Sequence, residues 1–304
     1  MAQRDIFIKE VTKALEKQSN IFFLSADFGA PALDELRSKF PNNFLHCGIS
    51  EQAMIDMASG LALEGNKVFV YAMSPFLSLR CIEQAKCGPG LMDLPICFIS
   101  VGIGLGYADS GPTHYSTEDY ACLRSIIGSK VYTPATSEDV KAIASEIIKN
   151  TSFSYIRLDR EQLPDINHSS PVNAEKGYAL IGDKLDGKVV LISHGKIVHR
   201  CMEIYNLDKN NFSCINIFRS KPFPKNLADE LSKCKAILVV DEQSPSGNLS
   251  SCVFENLSLN NFYPKIVNKS LPEKYIFENG GREHLLNING LSKKDLLNTA
   301  KKLI

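Results

Sequence analysis

A net charge is missing from this chain. Lysine plus arginine and aspartate plus glutamate each number 34, so no global basic field draws nucleic acid or an anionic membrane surface. Long uncharged apolar runs are missing too, and none approaches the length of a membrane-spanning helix. The opening Met1-Ala2-Gln3-Arg4-Asp5 has no apolar leader core, and the expectation is a cytoplasmic protein. The nine cysteines include no Cys-x-x-Cys pair, and several stand in apolar runs such as Leu94-Pro95-Ile96-Cys97-Phe98-Ile99. An odd count without a metal or disulfide pattern reads as free thiols in a reducing compartment. Tryptophan is absent, which bears on no function, and there is no internal repeat or low-complexity segment.

Short apolar runs alternate with helical patterns. Residues 21–25, 67–71, 96–101 and 131–132 read as buried strands, and helices are expected at about 5–18, 50–64, 76–88, 117–127 and 137–150. A polar, proline-bearing stretch, Leu163-Pro164-Asp165-Ile166-Asn167-His168-Ser169-Ser170-Pro171, interrupts the alternation. Strands then resume at 189–193, 213–218 and 236–240, with helices at 196–207 and 224–233 and a last helix capped by Ser292. The expected fold class is α/β, as two α/β domains over 1–165 and 180–304, each with a mainly parallel sheet, joined by a linker at about 166–179.

Three segments carry chemistry. In Gly48-Ile49-Ser50-Glu51-Gln52-Ala53-Met54, Ser50 is a possible N-cap and Glu51 a first-turn acid; the helix dipole alone favours an acid there. Ser74-Pro75-Phe76-Leu77-Ser78-Leu79-Arg80-Cys81-Ile82 sets Phe76, Leu79 and Ile82 at a spacing that would also make an ordinary core stripe. Gly102-Ile103-Gly104-Leu105-Gly106 runs on to Asp109-Ser110-Gly111-Pro112-Thr113-His114. Its Gly-x-Gly-x-Gly spacing and the following Ser-Gly-Pro do not meet the requirements of a dinucleotide fingerprint.

These segments together resemble the transketolase family, most specifically through Gly111-Pro112-Thr113-His114 followed by Glu118. The resemblance implies thiamine diphosphate as cofactor. Glu51 would bond N1′ of its aminopyrimidine ring and promote loss of the thiazolium proton, a task for a carboxyl held against an apolar wall. Phe76, and with it Leu79 and Ile82, would pack on the pyrimidine. Asp27, in Ser25-Ala26-Asp27, matches a family segment near the cofactor. His114 would meet the substrate carbonyl and hydroxyls, where an imidazole can shuttle protons near neutral pH. Arg160, in Arg157-Leu158-Asp159-Arg160-Glu161, would bind a substrate phosphate, with a surface ion pair as the alternative and Arg4 as a second candidate. His194, in Ser193-His194-Gly195, follows a strand and is not assigned to catalysis.

Two departures stand out. Ser110 lies where many relatives have an Asp that contacts a substrate hydroxyl, with Asp109 one residue earlier. Ser100 lies where transketolases place a phosphate-binding His. A Gly-Asp-Gly segment with a downstream Asn, which in the family holds the diphosphate through Mg2+, is not found here. The resemblance covers the C-terminal half of a full transketolase. It therefore implies a partner, an N-terminal subunit carrying the Gly-Asp-Gly domain and the Mg2+, in an α2β2 assembly acting on small sugars. Two alternatives stay open: a deoxyxylulose-phosphate-synthase-like or 2-oxo-acid dehydrogenase beta-like subunit, and a non-catalytic partner subunit that keeps the fold.

Overall fold

The computed structural model describes residues 1–26, 31–149, 152–166, 172–182 and 184–304. Its strands are β1 Ile21–Ser25, β2 Phe44–His46, β3 Lys67–Met73, β4 Ile96–Val101, β5 Lys130–Tyr132 and β6 Ser154–Leu158. They continue with β7 Ala179–Ile181, β8 Val189–Ser193, β9 Phe212–Asn216, β10 Arg219–Lys221, β11 Ala236–Val240 and β12 Ile266–Lys269. Among the described residues they form two sheets, ordered β10-β5-β6-β4-β3-β1-β2 and β12-β11-β8-β9-β7. Pairing is parallel except for β10 on β5 and β7 on β9. Two mainly parallel α/β units are what the alternation of apolar runs indicated.

The apolar runs form parallel strands because both faces of each strand are covered. Along β3, Val68, Val70 and Ala72 enter one apolar cluster, and Phe69 and Tyr71 enter another on the opposite face. Along β8, Val190 and Ile192 join the first of these clusters, while Val189 and Leu191 face a third. The first cluster thus takes side chains from both sheets, with Met54, Ile55, Leu123, Leu249 and Val253 from helices.

Several elements escaped the sequence reading. β2, β7 and β10 are only three residues long, and β10 is the polar triplet Arg219-Ser220-Lys221. β10 belongs to the second stretch of chain yet pairs with β5 of the first sheet, Arg219 opposite Tyr132. Helices Asp34–Lys39, Leu249–Leu259 and Gly281–Leu286 were also not anticipated. Part of the expected linker, 167–171, lies outside the described residues, as does Asp27. Ser292 does cap the last helix, its hydroxyl accepting from Asp295 N at 3.1 Å.

The largest correction concerns the helix expected at 76–88. It is broken into Ser74–Ser78 and Ile82–Ala85, followed by a wide π-type turn at Lys86–Gly90 that contains Pro89. Ser78 Oγ donates back to the Ser74 carbonyl at 2.6 Å, a local bond that competes with the helical ladder and bends helices. Cys81 leaves the helical region at φ −111°, ψ 19°.

Candidate functional site

Four connections leave the first sheet at the carboxyl ends of parallel strands. β2 leads to Glu51, β3 to Phe76, β4 to the glycine run and His114, and β6 to Arg160. The carboxyl ends of parallel strands are where open α/β sheets gather ligands. Because β3 and β4 are paired, their following segments meet. The Phe76 and His114 rings lie edge to face, 5.4 Å apart between centroids with 76° between planes.

Glu51 is the first residue of the Glu51–Leu63 helix and is 3% exposed. Ser50 stands at the cap position without capping: its hydroxyl donates to the Cys47 carbonyl at 2.6 Å. The Glu51 carboxylate accepts instead from Arg80 Nη1, Oε2 to nitrogen 2.5 Å. Arg80 sits at the helix break, and its guanidinium carbon lies over the Phe76 ring, 4.4 Å from the centroid. Glu51, Arg80, Phe76 and His114 therefore form one connected line of contacts. Beside it, burial and then the Glu51 charge push the Cys81 thiol up to about 12, and its S–H donates to the Phe76 carbonyl at 3.3 Å.

The break also means that Phe76, Leu79 and Ile82 do not share one helical stripe. Leu79 is 38% exposed, and Ile82 begins the next short helix, half-buried against the first apolar cluster.

The loop that carries His114 is pinched at its base. Gly104 N donates to the Ser116 carbonyl at 3.0 Å and Ser116 N to the Gly104 carbonyl at 2.9 Å. The glycine requirement is a packing requirement. Gly104 has φ +58°, and a Cβ there would stand 2.7 Å from Glu242 Cδ; Leu105 N also donates to Glu242 Oε1 at 2.8 Å. No helix starts at the end of the run, so it does not form a dinucleotide cradle. His114 is half-buried, its Nδ1 2.9 Å from Thr113 Oγ1. Asp109 and Ser110 are exposed on the loop. Arg160 reaches Asp109 at 3.3 Å and lies over the Tyr107 ring at 4.8 Å, which ties the loop to the end of β6. Arg4 pairs with its neighbour Asp5 at 2.9 Å.

Arg157 is not a surface cation. It is buried and donates to both oxygens of Asp119, with a further bond to Thr133 Oγ1 at 3.1 Å. Tyr155 OH donates to Asp119 Oδ2 at 2.6 Å; burial, and then the Asp119 charge, push that phenol well up. Ser100 is buried beside the same phenol at 3.1 Å. Ser74 and Ser116, whose hydroxyls are 2.5 Å apart, close the cluster. Ser74 lies two residues before Phe76 and Ser116 two after His114, so this polar knot is joined to the ring contact through both chain segments.

The knot continues into the second sheet. His194 Nε2 lies 3.5 Å from Arg157 Nη1 and 2.9 Å from Asp241 Oδ1. Burial alone would raise the Asp241 carboxyl, but His194 and Arg157 hold it below its ordinary value. A second buried tie runs from Arg282 to both oxygens of Asp159, at 3.0 and 2.8 Å, and to Glu242 at 2.7 and 2.8 Å. Buried charges are tolerated only when paired in this way.

Sequence reasoning did not single out Arg80, Asp119, Ser74 or Ser116. Arg80 had a usable signal, since it stands four residues after Phe76, a spacing at which side chains on a helix meet. Asp119 had none, because nothing local separates it from Glu118. Among the described residues no group of three or more His, Cys, Asp or Glu is arranged to hold a metal ion. Among the same residues no helix is long and apolar enough to cross a membrane.

Residues 1–165 match the family model described as transketolase, pyrimidine binding domain. A relative from Phocaeicola vulgatus, one of the subunits of an apulose-4-phosphate transketolase, is 24% identical over all of this chain and 98% of its own length. A 1-deoxy-D-xylulose-5-phosphate synthase from Halothermothrix orenii is 27% identical over 98% of this chain, but the match spans only 48% of the synthase. Among solved structures, one titled "Split gene transketolase, inactive beta4 tetramer" superposes with a TM-score of 0.88 at 22% identity, over the whole chain and 98% of its own. That last likeness is one of fold.

Proposed function

This chain belongs to the transketolase pyrimidine-binding domain family, and from that premise we propose that it is the pyrimidine-end subunit of a two-chain, thiamine-diphosphate-dependent transketolase. It would move a two-carbon ketol unit between a ketose and an aldose, both phosphorylated. One observation supports this above the others: Glu51, buried at a helix start, is joined through Arg80 to Phe76, which packs on His114. The near end-to-end match with a single transketolase subunit, in contrast to the half-length match with the synthase, favours a divided enzyme. A partner chain would hold the diphosphate and Mg2+, and the two chains would associate as α2β2.

The residues present fit the pyrimidine end of that cofactor. A flat, N–H-bearing group already lies over Phe76 and donates to Glu51, namely the Arg80 guanidinium. Glu51 would hold a proton at the ring nitrogen N1′, Phe76 would cover the ring face, and Leu79 and Ile82 would border it. His114 would orient the substrate carbonyl and supply a proton to its oxygen as the carbon is attacked. Arg160, with Asp109 and Ser110 on the facing loop, would meet the sugar phosphate and hydroxyls. The bound cofactor supplies the nucleophilic carbon that the side chains lack.

The test is co-expression with a chain carrying Gly-Asp-Gly and a downstream Asn, and an assay of ketol transfer between a ketose phosphate and an aldose phosphate. Glu51→Gln should cost at least about a hundredfold in turnover with the fold unchanged; wild-type rates in that variant would refute the assignment. The 27% identity to the synthase supports a second reading, condensation with loss of CO2 from a 2-oxo acid. Release of CO2 from pyruvate by the same complex would favour it over ketol transfer.

A further inference from the structure

Arg80 occupies a revealing position. Its guanidinium is planar, delocalised and edged with N–H donors. It makes the two contacts that the functional reading assigns to an aminopyrimidine: it lies over Phe76 at 4.4 Å, and it donates in reach of Glu51 at 2.5 Å. Its backbone is held separately, since its carbonyl accepts from Gln52 Nε2 at 3.1 Å. The Arg80 side chain is 39% exposed, whereas that of Glu51 is 4% exposed. The arginine thus has a route to solvent that the carboxylate does not.

We propose that Arg80 is a built-in stand-in for the aminopyrimidine ring, closing the slot between Glu51 and Phe76 until the ring displaces it. The proposal rests on the functional reading above and adds a competitor to it. While Arg80 is in place, the buried Glu51 carboxylate has a charge partner and the Phe76 face is covered. Entry of the ring breaks both contacts and swings the guanidinium outward, so each binding event carries the loss of one partly exposed ion pair and one cation–π contact. Removing the side chain removes that competition while leaving Glu51 and Phe76 intact.

The experiment uses the full chain and 4-amino-5-hydroxymethyl-2-methylpyrimidine as probe, titrated by ligand-observed NMR. Arg80→Leu should bind the probe about three- to tenfold more tightly than wild type, the range that an exposed ion pair and a cation–π contact together supply. Arg80→Lys keeps the charge but loses the flat stack and should fall between the two; it also serves if the leucine variant does not fold. Unchanged or weaker binding in both variants overturns the role given to Arg80 and leaves the functional reading intact. No probe binding by wild type or either variant overturns both.

Discussion

Arg157 donates two hydrogen bonds to Asp119 inside the protein, Nε to Oδ2 at 2.6 Å and Nη2 to Oδ1 at 3.0 Å, with neither side chain more than 1% exposed. The pair is in reach of the Ser74 hydroxyl and touches His194, just past the end of β8. Asp119→Ala would strand a buried guanidinium and should lower stability by about 3–5 kcal/mol. The double change Asp119→Leu with Arg157→Met removes both charges and should recover much of that loss. Denaturant midpoints of the three proteins decide the matter. A single variant as stable as wild type would show that the pair does not hold the two sheets together.

The glycine run supplies a second expectation. At Gly104 an added Cβ meets Glu242, and Glu242 is fixed by two bonds to Arg282, so the neighbour cannot swing away. Gly104→Ala combines that clash with a left-handed backbone and should cost about 1–3 kcal/mol. Gly65 has φ +84° but nothing within 4 Å of its absent Cβ. Gly65→Ala should therefore lower the melting temperature less. Equal losses in the two variants would mean that packing against Glu242 contributes nothing.

A pH dependence follows from His199. Burial holds its imidazole below the ordinary value of 6.5, although Nε2 donates to the Ala135 carbonyl at 2.9 Å. The folded state thus favours the neutral ring. Above pH 6.5 neither state carries the proton, and this contribution to stability is complete. As pH falls from 6.5 through the lowered folded value, the unfolded chain takes up the proton first and stability declines, by at most about 1.4 kcal/mol per pH unit. His199→Gln should flatten the stability profile just below pH 6.5. A variant with the wild-type slope would assign that slope to other groups.

Much of the architecture was legible because its cause is local. Runs such as Val68-Phe69-Val70-Tyr71 and Val189-Val190-Leu191-Ile192 are apolar on both faces and have few alternatives to a covered strand. β10 was invisible for the converse reason, since Arg219-Ser220-Lys221 pairs only because β5 offers an edge. At the site, the reading grouped Glu51, Phe76 and His114, and Phe76 does pack on His114. Arg80 was not legible as a site residue because its partner, Glu51, stands on another element 29 positions away. Arg157 and Arg160, three residues apart, have opposite environments, one sealed on Asp119 and the other in the open on Asp109.

By itself the sequence determined the α/β class, and it supplied the motif that ties the chain to its family. Both follow from side-chain periodicity and from residue spacing within one segment. Only the tertiary structure decided the partners: that Asp119 rather than Glu118 is the buried acid, that Glu242 packs against a glycine turn 138 positions away, and that Glu51 is bonded to Arg80. Hydrophobic pattern selects which face of an element turns inward. It does not select which charge on another element waits there, because that depends on how strands distant in sequence come to lie side by side.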